Sequence, residues 1–175
     1  MLRNSNTVSR IAEIDIYING LPQEFAQTVN EKLINKGSLV KFVIPNNESI
    51  QDEWLKVPTE FNDSEWKEVV QPVGWESPGG TMEEAILSNI NEDMFGVNAS
   101  GYFRFPFQYD LKKKTPISGE LRLRVDDGYV AYLNGVEIDR KNVPESIVWN
   151  SRATGSRGDI LSLIHISEPT RRIHI

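Results

Sequence analysis

The chain has 175 residues, a formal net charge of −6 and no cysteine. The missing cysteine excludes disulfides, thiol nucleophiles and cysteine metal sites, and the acidic surplus argues against a nucleic-acid partner, because phosphate binding requires a basic face. The apolar runs are shorter than the roughly 18 residues of a membrane span, so we expect a globular protein without membrane insertion.

The N-terminal segment, residues 1–37, is predicted to be a β–α unit. Isoleucines alternate with polar residues up to Ile18, which indicates a strand that ends at Asn19-Gly20. From Pro22 to Lys36 the apolar residues recur at helical spacing, and Gly37 suits a C-terminal stop. We interpret this segment as the end of a preceding domain or a linker.

Residues 38–160 show short apolar runs between polar turns. Leu39–Ile44 is one such run, and Thr81–Asn89 is expected to be a short helix that Thr81 caps. The aromatic-rich segment Gly101–Tyr109 is predicted to be a strand at a sheet edge or with a bulge, because Pro106 lacks an amide donor. These runs favour an all-β module.

The strongest local signal is a hairpin at Asn134-Gly135. Before it, residues 121–125 alternate apolar and arginine side chains, and Asp126-Asp127-Gly128 turns the chain. Asn-Gly between the apolar runs 129–133 and 136–138 favours a type I′ turn, because both residues tolerate positive φ. Several short strands at such spacing predict an antiparallel two-sheet β-sandwich.

The same region resembles a galactose-binding-like β-sandwich module of large exported bacterial proteins of the planctomycete type, which carry lamin-tail or spore-coat-type kinase domains. The resemblance covers residues 39–159 and implies a jelly-roll fold, an extracellular or cell-surface parent protein and partner domains in the same chain. The N-terminus itself shows no signal peptide. The resemblance rests on segments 61–66, 73–76, 102–107, 121–138 and 149–151, with Arg140, Asn142 and Pro144.

The end of the chain departs from this family. After Ala153-Thr154 the family carries a histidine before an aspartate, whereas Ser156-Arg157-Gly158 precedes Asp159 here. The closing strands of the family are missing, so we expect a module truncated at its C-terminus, with an exposed sheet edge.

Residues 161–175 are predicted to be a non-native tail. Residues 161–172 resemble the translation of a sequencing adapter, as found at the ends of metagenomic contigs. The alternative is a genuine strand, in which Leu161, Leu163 and His165 share one face. Because both histidines of the chain, His165 and His174, lie in this tail, we assign them no chemistry.

The resemblance implies a non-catalytic accessory module that binds carbohydrate or another surface ligand. A flat aromatic ring stacks on the apolar face of a pyranose, and Trp75 and Trp149 lie near predicted loops. We take these two rings, with Arg140 and Asn142, as candidate ligand-binding residues. In the alternative interpretation all four tryptophans are packing residues. Arg104 is expected to pair with an internal acid.

Asp126 and Asp127 allow two interpretations. Adjacent carboxylates at a turn suit a structural calcium, the only cofactor that we consider. Turn chemistry is the favoured alternative, because neighbouring strand residues point to opposite faces. The sequence singles out no pair of opposed carboxylates, so we do not expect an enzyme. A structural spacer or adhesion module is the second hypothesis, and a fragment of a glycan-active hydrolase the third.

Overall fold

The computed structural model describes residues 11–21, 29–56, 60–76, 79–80, 83–109, 115–155 and 160–167. These residues form mostly strands with a few short helices, which confirms the predicted all-β character. The strands are β1 (Ile11–Leu21), β2 (Val29–Ile34), β3 (Leu39–Val43), β4 (Lys67–Val70), β5 (Val73–Gly74), β6 (Ser88–Asn89), β7 (Tyr102–Arg104), β8 (Thr115–Val125), β9 (Tyr129–Leu133), β10 (Val136–Lys141) and β11 (Ile160–Ser167). The helical pieces are the 3-10 turns Glu48–Ile50, Glu53–Leu55 and Glu83–Ala85, and the single α-helical turn α1 (Asn91–Met94).

The largest sheet is built around β1 and β8. These two strands pair antiparallel from Ala12 opposite Val125 to Leu21 opposite Thr115, and β11 pairs with the outer edge of β8. On the other side of β1, β5 pairs with one end and β2 with the other, while β6 adds parallel to β5. One sheet therefore joins strands from all three predicted segments, whose boundaries at 37 and 160 stay predictions.

The predicted helix in the N-terminal segment is wrong over residues 29–34. These residues form β2, which pairs antiparallel with β1, and Ile34 is almost fully buried. The hydrogen bonds between β1 and β2 and the burial of Ile34 stabilise a strand here, and this stabilisation outweighs the helix that the apolar spacing favours. Residues 22–28, the first half of the predicted helix, lie outside the described residues.

The expected helix over 81–89 is limited to the 3-10 turn at Glu83–Ala85. Residues 81–82 lie outside the described part, and Ser88 and Asn89 form β6 because they pair with Val73 and Gly74 of β5. Strand pairing again replaces a locally favoured helix.

The hairpin prediction is confirmed, and the aromatic-rich strand is confirmed in part. β7 covers only Tyr102–Arg104 of the predicted 101–109, lies at an edge of the sheet β4–β3–β7 and ends two residues before Pro106. β9 and β10 form the predicted hairpin, and its turn residues Asn134 and Gly135 have φ values of 48° and 78°. These positive angles are the ones that a type I′ turn requires.

The end of the chain adopts the strand conformation of the second interpretation. Residues 160–167 form β11, and the exposed His165 lies opposite Glu120 of β8. The resemblance of 161–172 to an adapter translation stays a prediction, because strand pairing carries no information on the origin of a sequence.

Two hydrophobic clusters hold the sheets against one another. The first joins the three-stranded sheet to β5, α1 and its flanks, and consists of Phe42, Val73, Trp75, Ile90 and Met94. The second joins the large sheet to the hairpin, and consists of Ile34, Tyr109 and Leu121, with Ala131 and Ile138 of β9 and β10 packed on them. The hairpin therefore lies over the large sheet.

Gln71 connects the two larger sheets through its side chain. It is fully buried, and its Oε1 accepts a hydrogen bond from the Ile14 N–H at 2.8 Å. Its Nε2 donates to the carbonyl oxygens of Ile14 at 2.9 Å and Asn35 at 2.6 Å. On β1, Ile14 lies between Ala12, which pairs with β5, and Ile16, which pairs with β2. The amide of Gln71 thus takes the place of a missing strand.

We predict that Gln71→Leu destabilises the fold by about 3 kcal/mol, because it removes the partner of three partly buried backbone groups, two of Ile14 and one of Asn35, at the lower end of the roughly 1–3 kcal/mol that an unpaired group costs. Urea unfolding followed by circular dichroism measures the loss. Gln108→Leu is the matched control at an exposed position and should change the free energy of unfolding by less than about 0.5 kcal/mol. Equal midpoints for both variants would contradict the role of Gln71.

Candidate functional site

The strongest candidate site is the β-turn of residues 148–151. The Ser151 N–H donates to the Val148 carbonyl at 2.9 Å, and the Val148 N–H donates to Ser151 Oγ at 2.8 Å. Both bonds close the turn, so its central residues are Trp149 and Asn150. Asn150 is exposed and Trp149 is half-buried, so the two central positions of the turn carry an indole and an amide.

Two further hydrogen bonds tie the turn to distant segments. The Trp149 N–H donates to Gln51 Oε1 at 3.0 Å, and Ser100 Oγ donates to the Ser151 carbonyl. Gln51 directly follows the first 3-10 turn, and Ser100 lies just before β7. The backbone that carries Trp149 is therefore held by hydrogen bonds from two segments that are distant in sequence.

The ring of Trp149 differs from the other three indoles in its surroundings. Trp66 and Trp75 are only 8% exposed, and they contact Phe61 and Phe95, respectively. The Trp54 ring stacks on Tyr102 with 4.7 Å between centroids. Among the described residues, no aromatic ring contacts the indole of Trp149. Trp149 is the one tryptophan for which the described residues provide no aromatic contact.

The structure places Trp75 in the hydrophobic core instead of at a loop surface. Its side chain belongs to the first cluster, with Phe42 and Ile90, and follows directly on β5. This placement corresponds to the interpretation of Trp75 as a packing residue, so we leave it out of the site.

Arg140 is exposed but engaged with its own chain. Its Nε and Nη2 donate to the two carboxylate oxygens of Glu137 at 2.5 and 2.6 Å, and its Nη1 donates to the Glu145 carbonyl at 3.0 Å. The bonds from Arg140 lower the pKa of the Glu137 carboxyl. Arg140 thereby ties β10 to the loop that leads to the 148–151 turn.

Asn142 closes the base of that loop. It has a φ of 53°, its Nδ2 donates to the carbonyls of Asp127 at 2.9 Å and Gly155 at 2.6 Å, and its Oδ1 accepts from Thr154 Oγ1 at 2.8 Å. The amide thus joins both ends of the loop to the turn before β9. Asn142 positions the loop, and these bonds use both of its N–H donors.

Asp126 and Asp127 lie in the turn that Asn142 holds. Asp127 is 4% exposed and has a φ of 73°, a conformation that Asp tolerates in turns. A Cβ on the next residue, Gly128, would lie 2.6 Å from the Asn142 carbonyl, so a close backbone approach requires glycine there. Over the described ranges, no three acidic or histidine side chains group as a metal site. The calcium interpretation stays a prediction.

Trp54, three residues after Gln51 in the chain, belongs to an aromatic cluster that the sequence did not indicate. Trp54 stacks on Tyr102 and meets Tyr132 edge-on at 5.7 Å. Burial, the charge of Asp52 and the neighbouring Tyr132 raise the pKa of Tyr102 to about 12. The cluster joins three chain segments that are far apart in sequence, and local spacing carries no signal for such a group.

Arg104 packs beside this cluster, and its predicted internal partner is confirmed. Its Nε lies 3.1 Å from Asp63 Oδ2, its Nη1 donates to the Trp54 carbonyl at 3.0 Å, and its guanidinium lies 5.1 Å from the centre of the Phe61 ring. Burial lowers the pKa of Arg104, and the charge of Asp63 opposes that shift. These contacts fix Trp54 and the segment that includes Gln51.

The tip of the hairpin rests on the same segment. A Cβ built on Gly135 would lie 2.5 Å from the carbonyl oxygen of Leu55, in the second 3-10 turn. Residues 51–55 therefore contact the hairpin through Leu55 and Trp54, and the 148–151 turn through Gln51.

Comparison with protein-family models, curated proteins and solved structures finds no match for this chain. Within the ranges that the structure describes, no helix has the length and apolar character to cross a bilayer.

We predict that Gly135→Ala destabilises the fold more than Gly37→Ala. Both glycines have positive φ, but a Cβ at Gly37 meets no atom within 4 Å, whereas one at Gly135 meets Leu55. Gly37→Ala should cost about 1–2 kcal/mol for the φ angle alone, and Gly135→Ala should exceed it by about 1 kcal/mol or more. Urea unfolding checks the difference, and equal losses would show that the tip does not pack on Leu55.

The stability of the fold should fall as the pH rises from 10 to 12. In this window the unfolded chain loses the Tyr102 proton at its ordinary pKa of 10.0, whereas the folded chain holds it up to about 12. The folded state therefore binds more protons, and the free energy of unfolding decreases with pH. Urea midpoints across this range should show the decline, and Tyr102→Phe should reduce its slope. An unchanged slope would contradict the burial of the phenol.

Proposed function

We propose that this chain is a non-catalytic module that binds carbohydrate through the 148–151 turn, within a β-sandwich of an exported or cell-surface protein. The observation that carries the proposal is the Trp149 indole, half-buried and without an aromatic neighbour among the described residues, on a turn that hydrogen bonds fix. Such a ring can stack on the apolar face of a pyranose.

Polar groups beside the ring complete a sugar-binding set. The exposed amide of Asn150 offers a hydrogen-bond donor and an acceptor to vicinal hydroxyls. The exposed Arg152 follows one residue after the turn and adds several N–H donors. An apolar platform with a few polar groups at its rim is the usual composition of a small-ligand site.

The sandwich architecture is part of the same proposal. Its support is the packing of the hairpin over the large sheet through the second cluster, and of the three-stranded sheet over β5 through the first. Packed β-layers with interleaved side chains are the basis of sandwiches. The jelly-roll topology, the exported location and the partner domains follow from the family resemblance.

A structural spacer or adhesion module is the second candidate. The observation in its favour is that Arg140 and Asn142, two of the predicted binding residues, donate hydrogen bonds to acceptors within the chain. Under this alternative the 148–151 turn packs against a neighbouring domain. We do not propose a hydrolase, because Glu137 and Asp63 are both held in ion pairs with arginines.

The proposal predicts that Trp149→Ala weakens glycan binding by about tenfold or more, the equivalent of the 1.5–3 kcal/mol lost with a large apolar side chain. A glycan array screens the wild-type chain, and isothermal titration calorimetry compares the variants on each hit. Phe95→Ala is the matched control, because Phe95 is an aromatic residue that is 60% exposed outside the turn, and it should bind like the wild type. Binding to no glycan would favour the spacer.

A further inference from the structure

We propose that the sugar bound at the 148–151 turn carries an anionic group, a carboxylate or a sulfate ester, and that Arg152 receives it. The inference rests on the proposed function and specifies its ligand class. An arginine that has no charge partner within the protein is available to pair with an anionic group of a ligand.

The described arginines other than Arg152 all have partners. Arg104 pairs with Asp63, Arg122 with Glu120 and Arg140 with Glu137, and Arg124 also has an interaction within the chain. The side chain of Arg152 forms no ion pair or hydrogen bond with the residues that the structure describes. This occurs although the chain has 25 acidic residues against 19 basic ones.

Arg152 lies three residues after Trp149 in the chain, directly after the turn. The residue before it, Ser151, is fixed through its N–H to Val148 and through its carbonyl to Ser100. The backbone at Arg152 is thereby held one residue beyond the turn, while its side chain is exposed. A planar guanidinium donates two parallel hydrogen bonds to a carboxylate or sulfate, a geometry that a neutral hydroxyl does not match.

Acidic residues also lie close in sequence to the turn and to its anchor Gln51. Glu145 lies on the same loop, and Asp52 directly follows Gln51, whose side chain accepts from the Trp149 N–H. These carboxylates repel an anionic substituent that approaches them, and Arg152 attracts it. A uronate or sulfated residue stacked on Trp149 is therefore expected to turn its anionic group toward Arg152.

The test measures binding of three size-matched hexasaccharides to the whole 175-residue chain: a neutral galactan, a galacturonan and a sulfated galactan. Wild-type protein is compared with Arg152→Gln, Trp149→Ala and Arg122→Gln by calorimetry at two salt concentrations. Arg122→Gln is the matched control, because it removes the same charge from an exposed arginine of β8. The thermal midpoint of each variant verifies that it folds.

The expected result is that at least one anionic hexasaccharide binds more tightly than the neutral one. Arg152→Gln should weaken that binding about tenfold and flatten its salt dependence, while Arg122→Gln leaves it within about twofold. The anionic probe that responds distinguishes a carboxylate from a sulfate. Loss of anionic and neutral binding alike in Trp149→Ala would support the shared site.

Two outcomes overturn the inference. If the neutral and anionic probes bind equally and Trp149→Ala abolishes both, the turn binds sugars without charge selection and the proposed function stands alone. If an anionic probe binds but Arg152→Gln leaves its affinity unchanged, Arg152 is not the receiving group. Failure of the proposed function is recognised separately, since the wild type would then bind nothing on the glycan array.

Discussion

The side-chain amide of Gln71 is the interaction on which the sheet arrangement depends. It bonds to both backbone groups of Ile14, at the point where β1 has passed its pairing with β5 and has not yet reached β2. Its own backbone bonds to Gly37 and Ser38 at the start of β3. One buried amide thus completes the edge of the large sheet and anchors the three-stranded sheet to it. Buried polar groups of this kind are costly to leave unpaired, which makes the arrangement specific.

The candidate site depends on this arrangement of sheets and on the loop after β10, whose two ends Asn142 joins by hydrogen bonds. The hairpin packs on the large sheet, its tip rests on Leu55, and Asn142 clamps the two ends of the loop after β10. Gln51 then holds the backbone of Trp149. The four residues that the sequence suggested for ligand binding therefore divide into three groups. Arg140 and Asn142 build the loop, Trp75 packs in the first hydrophobic cluster, and Trp149 lies on the turn of the loop.

The sequence could identify Trp149 as a candidate but could not separate it from Trp75. Both follow short apolar runs near turn residues, so local context is the same. Burial is decided by which surface covers the ring: cluster residues around Phe42 cover Trp75, while no aromatic side chain of the described residues contacts Trp149. The cluster of Trp54, Tyr102 and Tyr132 could not be predicted either, because three distant segments meet there. That Arg152 has no ion pair or hydrogen bond within the described ranges could not be predicted either, because ion pairs depend on tertiary contacts.

By itself, the sequence determined the hairpin at Asn134-Gly135 and the half-buried strand over 121–125, since these follow from φ preferences and side-chain alternation. Only the tertiary structure decided that residues 29–34 form a strand. Their apolar spacing suits a helix, and the pairing with β1 and the burial of Ile34 outweigh that preference. Turn conformations depend on interactions among a few neighbouring residues, so the local sequence determines them. Strand partners and the exposure of aromatic rings depend on contacts between residues far apart in the chain.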